Sequence, residues 1–189
     1  MNTPAHLIIG AAAFGRRDAR LLTWCALLGG FLPDLSLYAM AGWCLFVLDI
    51  SPRVVFDEFY YSDAWQQVFA VDNSFVLWAV ALGLAIWRGK HWAIALCGAA
   101  ILHLCLDFPL HNHDARMHFW PLTDWKFISP ISYWEGSRGG DIVGAVEIVL
   151  VAVLTIYLLR LLQDVWLRLF IGVLALLQIA PFIVWRLVF

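Results

Sequence analysis

Four of the six histidines in this 189-residue chain lie within one short stretch of sequence. Residues 100–121 read AILHLCLDFPLHNHDARMHFWP, in which an apolar run carries His103 and Asp107. Positions four apart lie on one face of a helix, with Cβ atoms about 5–6 Å apart, so both side chains can reach one ion. An imidazole and a carboxylate in an apolar helix are costly unless they are paired or bound to a metal. The pattern therefore predicts a divalent-metal site.

The loop after this helix offers further ligands. A proline two residues after Asp107 should end or bend the helix, and His113 then completes an i, i+4, i+10 pattern with His103 and Asp107. The alternative is a His–Asp pair that satisfies its own hydrogen bonds inside a helical bundle. His111 and His118 serve either as ligands or as supports for the ligands, unless they are merely solvated loop residues.

Two acids in other apolar segments are candidates for the same site. Asp34 follows Pro33, which interrupts an apolar run, and irregular backbone at that depth is tolerated only where protein or a wet cavity receives it. We expect Asp34 beside His103 and Asp107; the alternative is a protonated or hydrogen-bonded carboxyl at a kink. Glu147 lies about two turns into a later apolar segment and is a candidate last ligand or general base.

The types of these residues narrow the chemistry. Mixed imidazole and carboxylate ligands without thiolate fit Zn²⁺ best, with Mn²⁺ or Fe²⁺ as alternatives, and there are enough ligands for one to three ions. Such an ion activates water at neutral pH and clamps the oxygens of a phosphoester. Arg116 and Arg138 flank the site and are candidates to hold an anionic substrate group, unless they form ion pairs within the loop.

The elements that position these residues are predicted to be membrane helices. Hydrophobic residues make up 63% of the chain and charged residues 14%, with a mean hydropathy of +0.81, whereas a soluble domain is about 45–50% apolar and about 25% charged. The sequence predicts one domain, residues 1–189, an all-α polytopic bundle of about five spans. A short helix over 4–15 is re-entrant or interfacial, and a site loop covers about 111–141. The five expected spans are 20–48, 73–88, 92–110, 142–160 and 166–186.

Charged residues suggest the orientation of the bundle. If the five spans alternate, one side holds seven basic residues and the other side five, so the positive-inside rule places the first side in the cytoplasm and the site loop outside. The first side holds Arg16, Arg17, Arg20, Arg88, Lys90, Arg160 and Arg168. A net charge of −2 without a basic tract makes nucleic acid an unexpected partner.

With these residues assembled, the chain resembles the bacterial membrane-bound metal-dependent hydrolase family, which is distantly similar to zinc-dependent phospholipase C. The resemblance rests on His6 opening the first helix, the LPDL segment, HLCLD, HFWPLTDWKF and SPISYW. On the sequence alone His6 is better interpreted as an interfacial residue, and the resemblance adds it to the candidate ligands. It also implies His103, Asp107 and His113 as ligands, Asp34 as a partner acid and Glu147 as a late ligand. Asn73-Ser74 stands where many members carry His-Ser, which puts full metal occupancy in question.

The expected function is hydrolysis of a phosphoester or other ester of a lipid or lipid-linked substrate, at the outer face of the bacterial inner membrane. The alternative is a metal-binding membrane protein without hydrolase activity, for metal handling or sensing. In a transport path the polar residues should recur at several depths, but here they crowd toward one end of the third expected span.

Overall fold

The computed structural model describes residues 1–179, and within this part of the chain every regular element is a helix, without a strand. Single turns of 3-10 helix occupy Leu32–Asp34 and Gly136–Arg138, and a π-helical turn occupies Val55–Phe59. The α-helices are α1 (Thr3–Phe14), α2 (Arg20–Phe31), α3 (Leu35–Phe46), α4 (Pro52–Val54), α5 (Asp63–Asp72), α6 (Phe75–Trp87), α7 (His91–Asp107), α8 (Gly140–Leu161) and α9 (Val165–Leu177).

Within residues 1–179, three helical runs are long and apolar enough to cross a membrane: Arg20–Phe46, Asp63–Trp87 and Gly140–Leu161. The second is longer than the expected span 73–88 because α5 precedes α6, with a break at Asn73 and Ser74 where the Ser74 side chain caps α6. The expected spans 92–110 and 166–186 correspond to the shorter helices α7 and α9, and residues 180–186 lie outside the described part. The coarse expectation of an all-α protein with membrane-length helices is confirmed, whereas the number five stays a prediction.

Helix α1 lies at the centre of the bundle, in contact with α2, α7, α8 and α9. Its buried residues Ala5, Ile8 and Ala11 belong to the main apolar core, together with residues of α2, α8 and α9. The N-terminal helix that the sequence predicts as re-entrant or interfacial is therefore a core element. Its first turn carries His6, so the packing of α1 decides where that imidazole lies.

Glycines let α2 approach its neighbours closely enough to bring three helices together. An added Cβ at Gly29 would lie 2.0 Å from the Leu96 carbonyl oxygen of α7, and one at Gly30 would lie 2.8 Å from the His6 carbonyl oxygen of α1. Small residues at helix crossings permit such contact between backbones. Directly after this contact Pro33 breaks the helix into a 3-10 turn, which ends at Asp34.

The four cysteines are free thiols. Cys25, Cys44 and Cys97 are buried, whereas Cys105 is exposed on the surface of α7. A helix buried on one face only leaves the opposite face exposed, and apolar composition alone does not tell the two faces apart.

Candidate metal site

Asp107, the last residue of α7, lies at the centre of a buried group of histidines. Its Oδ1 is 2.9 Å from Nε2 of His6, and its Oδ2 is 3.2 Å from Nε2 of both His103 and His111. We call His6, His103, Asp107 and His111 the Asp107 cluster; each of the four residues is at most 7% exposed. The amino group of Met1 also donates to Oδ1.

The hydrogen bonds of His103 identify its tautomer. Its Nδ1 lies 2.8 Å from the carbonyl oxygen of Gly30, which can only accept, so Nδ1 carries the hydrogen. In a neutral ring Nε2 then holds a lone pair, although it faces the Asp107 carboxylate and lies 3.7 Å from Oδ1 of Asp34. A lone pair against two carboxylates is repulsive unless a proton or a metal ion lies between them.

His111 repeats this arrangement from the loop. Its Nδ1 is 2.7 Å from Oδ2 of Asp114, and its buried Nε2 has no hydrogen-bond partner among the described residues. Burial opposes the charged ring, but Asp107 and Asp114 outweigh it and raise the pKa of His111. A histidine whose Nδ1–H is held by a carboxylate while Nε2 points into a site is the usual form of a metal ligand.

His6 completes the cluster from α1. Its ring stacks on that of His103, with centroids 3.6 Å apart and an interplanar angle of 16°. One ligand atom each from His6, His103 and Asp107 lies within 4.8 Å of the other two, so this group could hold a metal ion. Two imidazoles and a carboxylate are a donor set that suits zinc, with manganese and iron as alternatives. The buried Nε2 of His103, which has no hydrogen-bond partner within residues 1–179, fits such an ion.

Asp34 lies at the edge of the cluster and is its most accessible acid. Its side chain is 20% exposed, and its Oδ2 accepts a hydrogen bond from the Thr3 hydroxyl, which is also 2.9 Å from the Tyr38 hydroxyl. The break at Pro33 is what turns this carboxylate toward His103. The structure therefore brings together five of the sequence-predicted residues: His6, Asp34, His103, Asp107 and His111.

The structure does not bring His113 to this group, although the i, i+10 spacing made it the expected third ligand. Its side chain is 62% exposed, and Nδ1 lies 3.5 Å from Oε1 of Glu135. The chain continues after Asp107 as a tight turn, in which Leu110 N donates to the Asp107 carbonyl at 2.8 Å. His111 is thereby kept four positions from Asp107 and takes the place expected for His113.

Two further candidate ligands, Glu147 and His118, make their contacts with other residues. Oε1 of Glu147 accepts bonds from the backbone and side chain of Asn2 and from Gln178, and the buried Oε2 has no partner within residues 1–179. His118 packs against Phe75 and Phe108 with ring centroids 5.5 and 5.4 Å away. Burial, assisted by the charge of His111, lowers the pKa of His118 to about 4. Neither residue is in the group whose ligand atoms converge.

The two candidate substrate-binding arginines differ in their surroundings. Arg138 is 3.1 Å from Oε2 of Glu135, so its charge is already paired. Arg116 is only 7% exposed, and its guanidinium lies 4.1 Å from the Phe69 ring and 4.8 Å from the Tyr60 ring. Its NH1 has no hydrogen-bond partner within residues 1–179. Among the described residues Arg116 makes no ion pair, so no carboxylate neutralises its buried charge.

Two groups that hold histidines of the cluster were not predicted from the sequence: the Gly30 carbonyl and the Asp114 carboxylate. The Gly30 carbonyl has no signal in the sequence because it depends on the packing of α2 against α7. Asp114 does have one, since His111 and Asp114 are three positions apart in HNHD.

No protein-family model, curated protein or solved structure matches this chain.

Proposed function

We propose that this protein is an integral-membrane metal-dependent hydrolase, with zinc as the preferred ion. The observation that carries the proposal is the shared orientation of His103 and His111. Each donates its Nδ1 hydrogen to an oxygen and presents a buried Nε2 to the same oxygen of Asp107; in the described part of the chain neither Nε2 has a hydrogen-bond partner. His6, His103 and Asp107 would hold an ion, with His111 and Asp34 positioned to join them.

The substrate group is best described as a phosphoester. A divalent ion in the cluster supplies activation of water and stabilisation of a developing oxyanion. Arg116 supports this interpretation because its guanidinium has five donors in a planar fork that matches phosphate, and because its charge has no carboxylate partner among the described residues. Asp34 is positioned to accept a proton, since it is the least buried acid beside His103.

A lipid or lipid-linked substrate is supported by the surface around the site. Large apolar side chains of the loop that carries Arg116 are exposed: Leu122, Trp125, Ile128, Ile131 and Trp134. Side chains of this kind suit the boundary between lipid headgroups and acyl chains. We place this surface at the outer face of the inner membrane from the distribution of basic residues. A cysteine in place of Leu122 should then react with an impermeant thiol reagent in intact cells, and labelling only after lysis would reverse the orientation.

The activity test compares hydrolysis of phospholipids and lipid diphosphates by the purified, zinc-loaded protein with that by Asp34→Asn and Arg116→Lys. We expect the first variant to lower kcat and the second to raise KM. A zinc-loaded protein that cleaves none of these lipids would favour the second candidate, a non-catalytic metal-binding membrane protein. The depth of the cluster favours that candidate, because its side chains are at most 10% exposed.

A further inference from the structure

A large cavity lies at the end of the bundle opposite the Asp107 cluster. Helix α1 runs from His6 in the cluster to Phe14 at the cavity, and α7 runs from His91 at the cavity to Asp107 in the cluster. The end of α8 and the turn between α1 and α2 complete the wall. The volume is about 810 Å³, within the range of sites that hold small molecules.

The polar part of the lining is mostly basic. Arg16 and Arg17 lie on the wall with His91 and Tyr157, and Asp18 is the acid among the lining residues. The segments that form this end of the bundle (14–22, 86–96 and 157–170) carry seven Arg or Lys residues against two acids. The second acid, Asp164, is already paired with Arg20 at 3.0 Å. This end therefore has an excess of positive charge.

Helix geometry adds to that charge. Helix α7 begins at His91 on the cavity wall, and no side chain of residues 1–179 caps its N-terminus. The free N–H groups of a first helical turn attract anions, which strengthens the field of the neighbouring cations.

The rest of the lining is apolar. Leu22, Ile94 and Leu161 contribute to the wall, with alanines of α1 and α7. A free inorganic anion gains nothing from contact with apolar side chains, whereas a phospholipid carries its phosphate next to apolar acyl chains. Basic pockets between membrane helices bind anionic headgroups in this manner.

We propose that this cavity binds the phosphate of an anionic phospholipid, with Arg16 and Arg17 as its principal contacts. The apolar residues of the wall receive the first carbons of the acyl chains. Arg17 also lies against the side-chain amide of Gln163, which holds the guanidinium between the α1–α2 turn and the α8–α9 turn. This site is distinct from the Asp107 cluster and does not depend on the proposed hydrolase activity.

The test counts lipids bound to the purified full-length chain by native mass spectrometry, with phosphatidylglycerol, phosphatidylcholine or inorganic phosphate added in turn. At low lipid concentration we expect one phosphatidylglycerol bound per chain, and no bound phosphatidylcholine or inorganic phosphate. Because each basic residue near an anionic headgroup strengthens binding about fivefold, Arg16→Gln with Arg17→Gln should weaken it about 25-fold. Replacing both by lysine should restore most of the affinity.

The matched control is Arg160→Gln with Arg168→Gln, which removes the same charge at the same end of the bundle from positions outside the cavity wall. We expect a change of less than threefold. Equal losses in the two double variants would mean diffuse attraction and would overturn the site. Binding of phosphatidylcholine or inorganic phosphate as tight as that of phosphatidylglycerol would overturn the lipid assignment. Equal thermal unfolding midpoints for both variants and the wild type, measured without added lipid, verify that the fold is intact.

Discussion

Replacing Asp107 by asparagine tests the cluster at its centre, because this one carboxylate contacts three imidazoles at 2.9, 3.2 and 3.2 Å. Asparagine keeps the shape of the side chain and removes its charge. Zinc binding by a four-ligand site provides about 10–16 kcal/mol. One ligand therefore contributes about 2.5–4 kcal/mol, which is about 10²–10³-fold in Kd.

The assay is thermal or chemical unfolding of the purified protein with and without zinc. At a free zinc concentration 100 times the wild-type Kd, the ion should stabilise the wild type by about 2.7 kcal/mol. A variant that binds 100-fold more weakly should gain only about 0.4 kcal/mol at the same concentration. The matched control is Asp57→Asn, whose side chain is 67% exposed and pairs with Arg53; it should behave as the wild type does. Equal stabilisation of Asp107→Asn and the wild type by zinc would refute the reasoning.

Three further substitutions examine the residues around the cluster. Gly30→Ala should weaken zinc binding at least tenfold, because the added Cβ would lie 2.8 Å from a backbone oxygen of α1. The control is Gly42→Ala, whose added Cβ meets open space and should leave the zinc affinity unchanged, so equal affinities of the two variants would contradict the role of the α1–α2 contact. Asp114→Asn should lower the pKa of His111, so fewer protons should be released when zinc binds at pH 7, as measured by calorimetry. An unchanged number of released protons would show that Asp114 does not influence a zinc ligand. Arg116→Lys should raise KM for a phosphoester at least tenfold with kcat changed less than threefold, and an unchanged KM would remove the arginine from substrate binding.

The helical part of the site could be predicted from the sequence because its geometry is local. His103 and Asp107 are four positions apart on one helix, and the regular rise of a helix places them together whatever the surroundings. The interruption at Pro33 could also be predicted, since proline removes a backbone donor. The 3.7 Å distance between Asp34 Oδ1 and His103 Nε2 depends on tertiary packing. The sequence could suggest this contact only because a buried acid is costly without a partner.

The loop and the N-terminal helix could not be placed by the same reasoning. A spacing of ten residues fixes no distance once the chain leaves the helix, so His113 was expected where a tight turn places His111. His6 joins the cluster only because α1 packs in the core beside α2 and α7, a contact between distant parts of the chain. Glu147 was expected near the metal because acids in membrane helices face the interior, yet the interior here also contains Asn2 and Gln178, which satisfy its Oε1.

The most direct test of the central claim is the metal content of the protein, purified without chelator and measured by mass spectrometry of the elements. We expect one to three zinc ions per chain, removed by dialysis against a chelator and restored by added zinc. His103→Ala should lose most of this metal, whereas His91→Ala, an exposed histidine at the other end of α7, should keep it. A wild-type protein without stoichiometric metal, or a His103→Ala variant with the full wild-type content, would contradict the account.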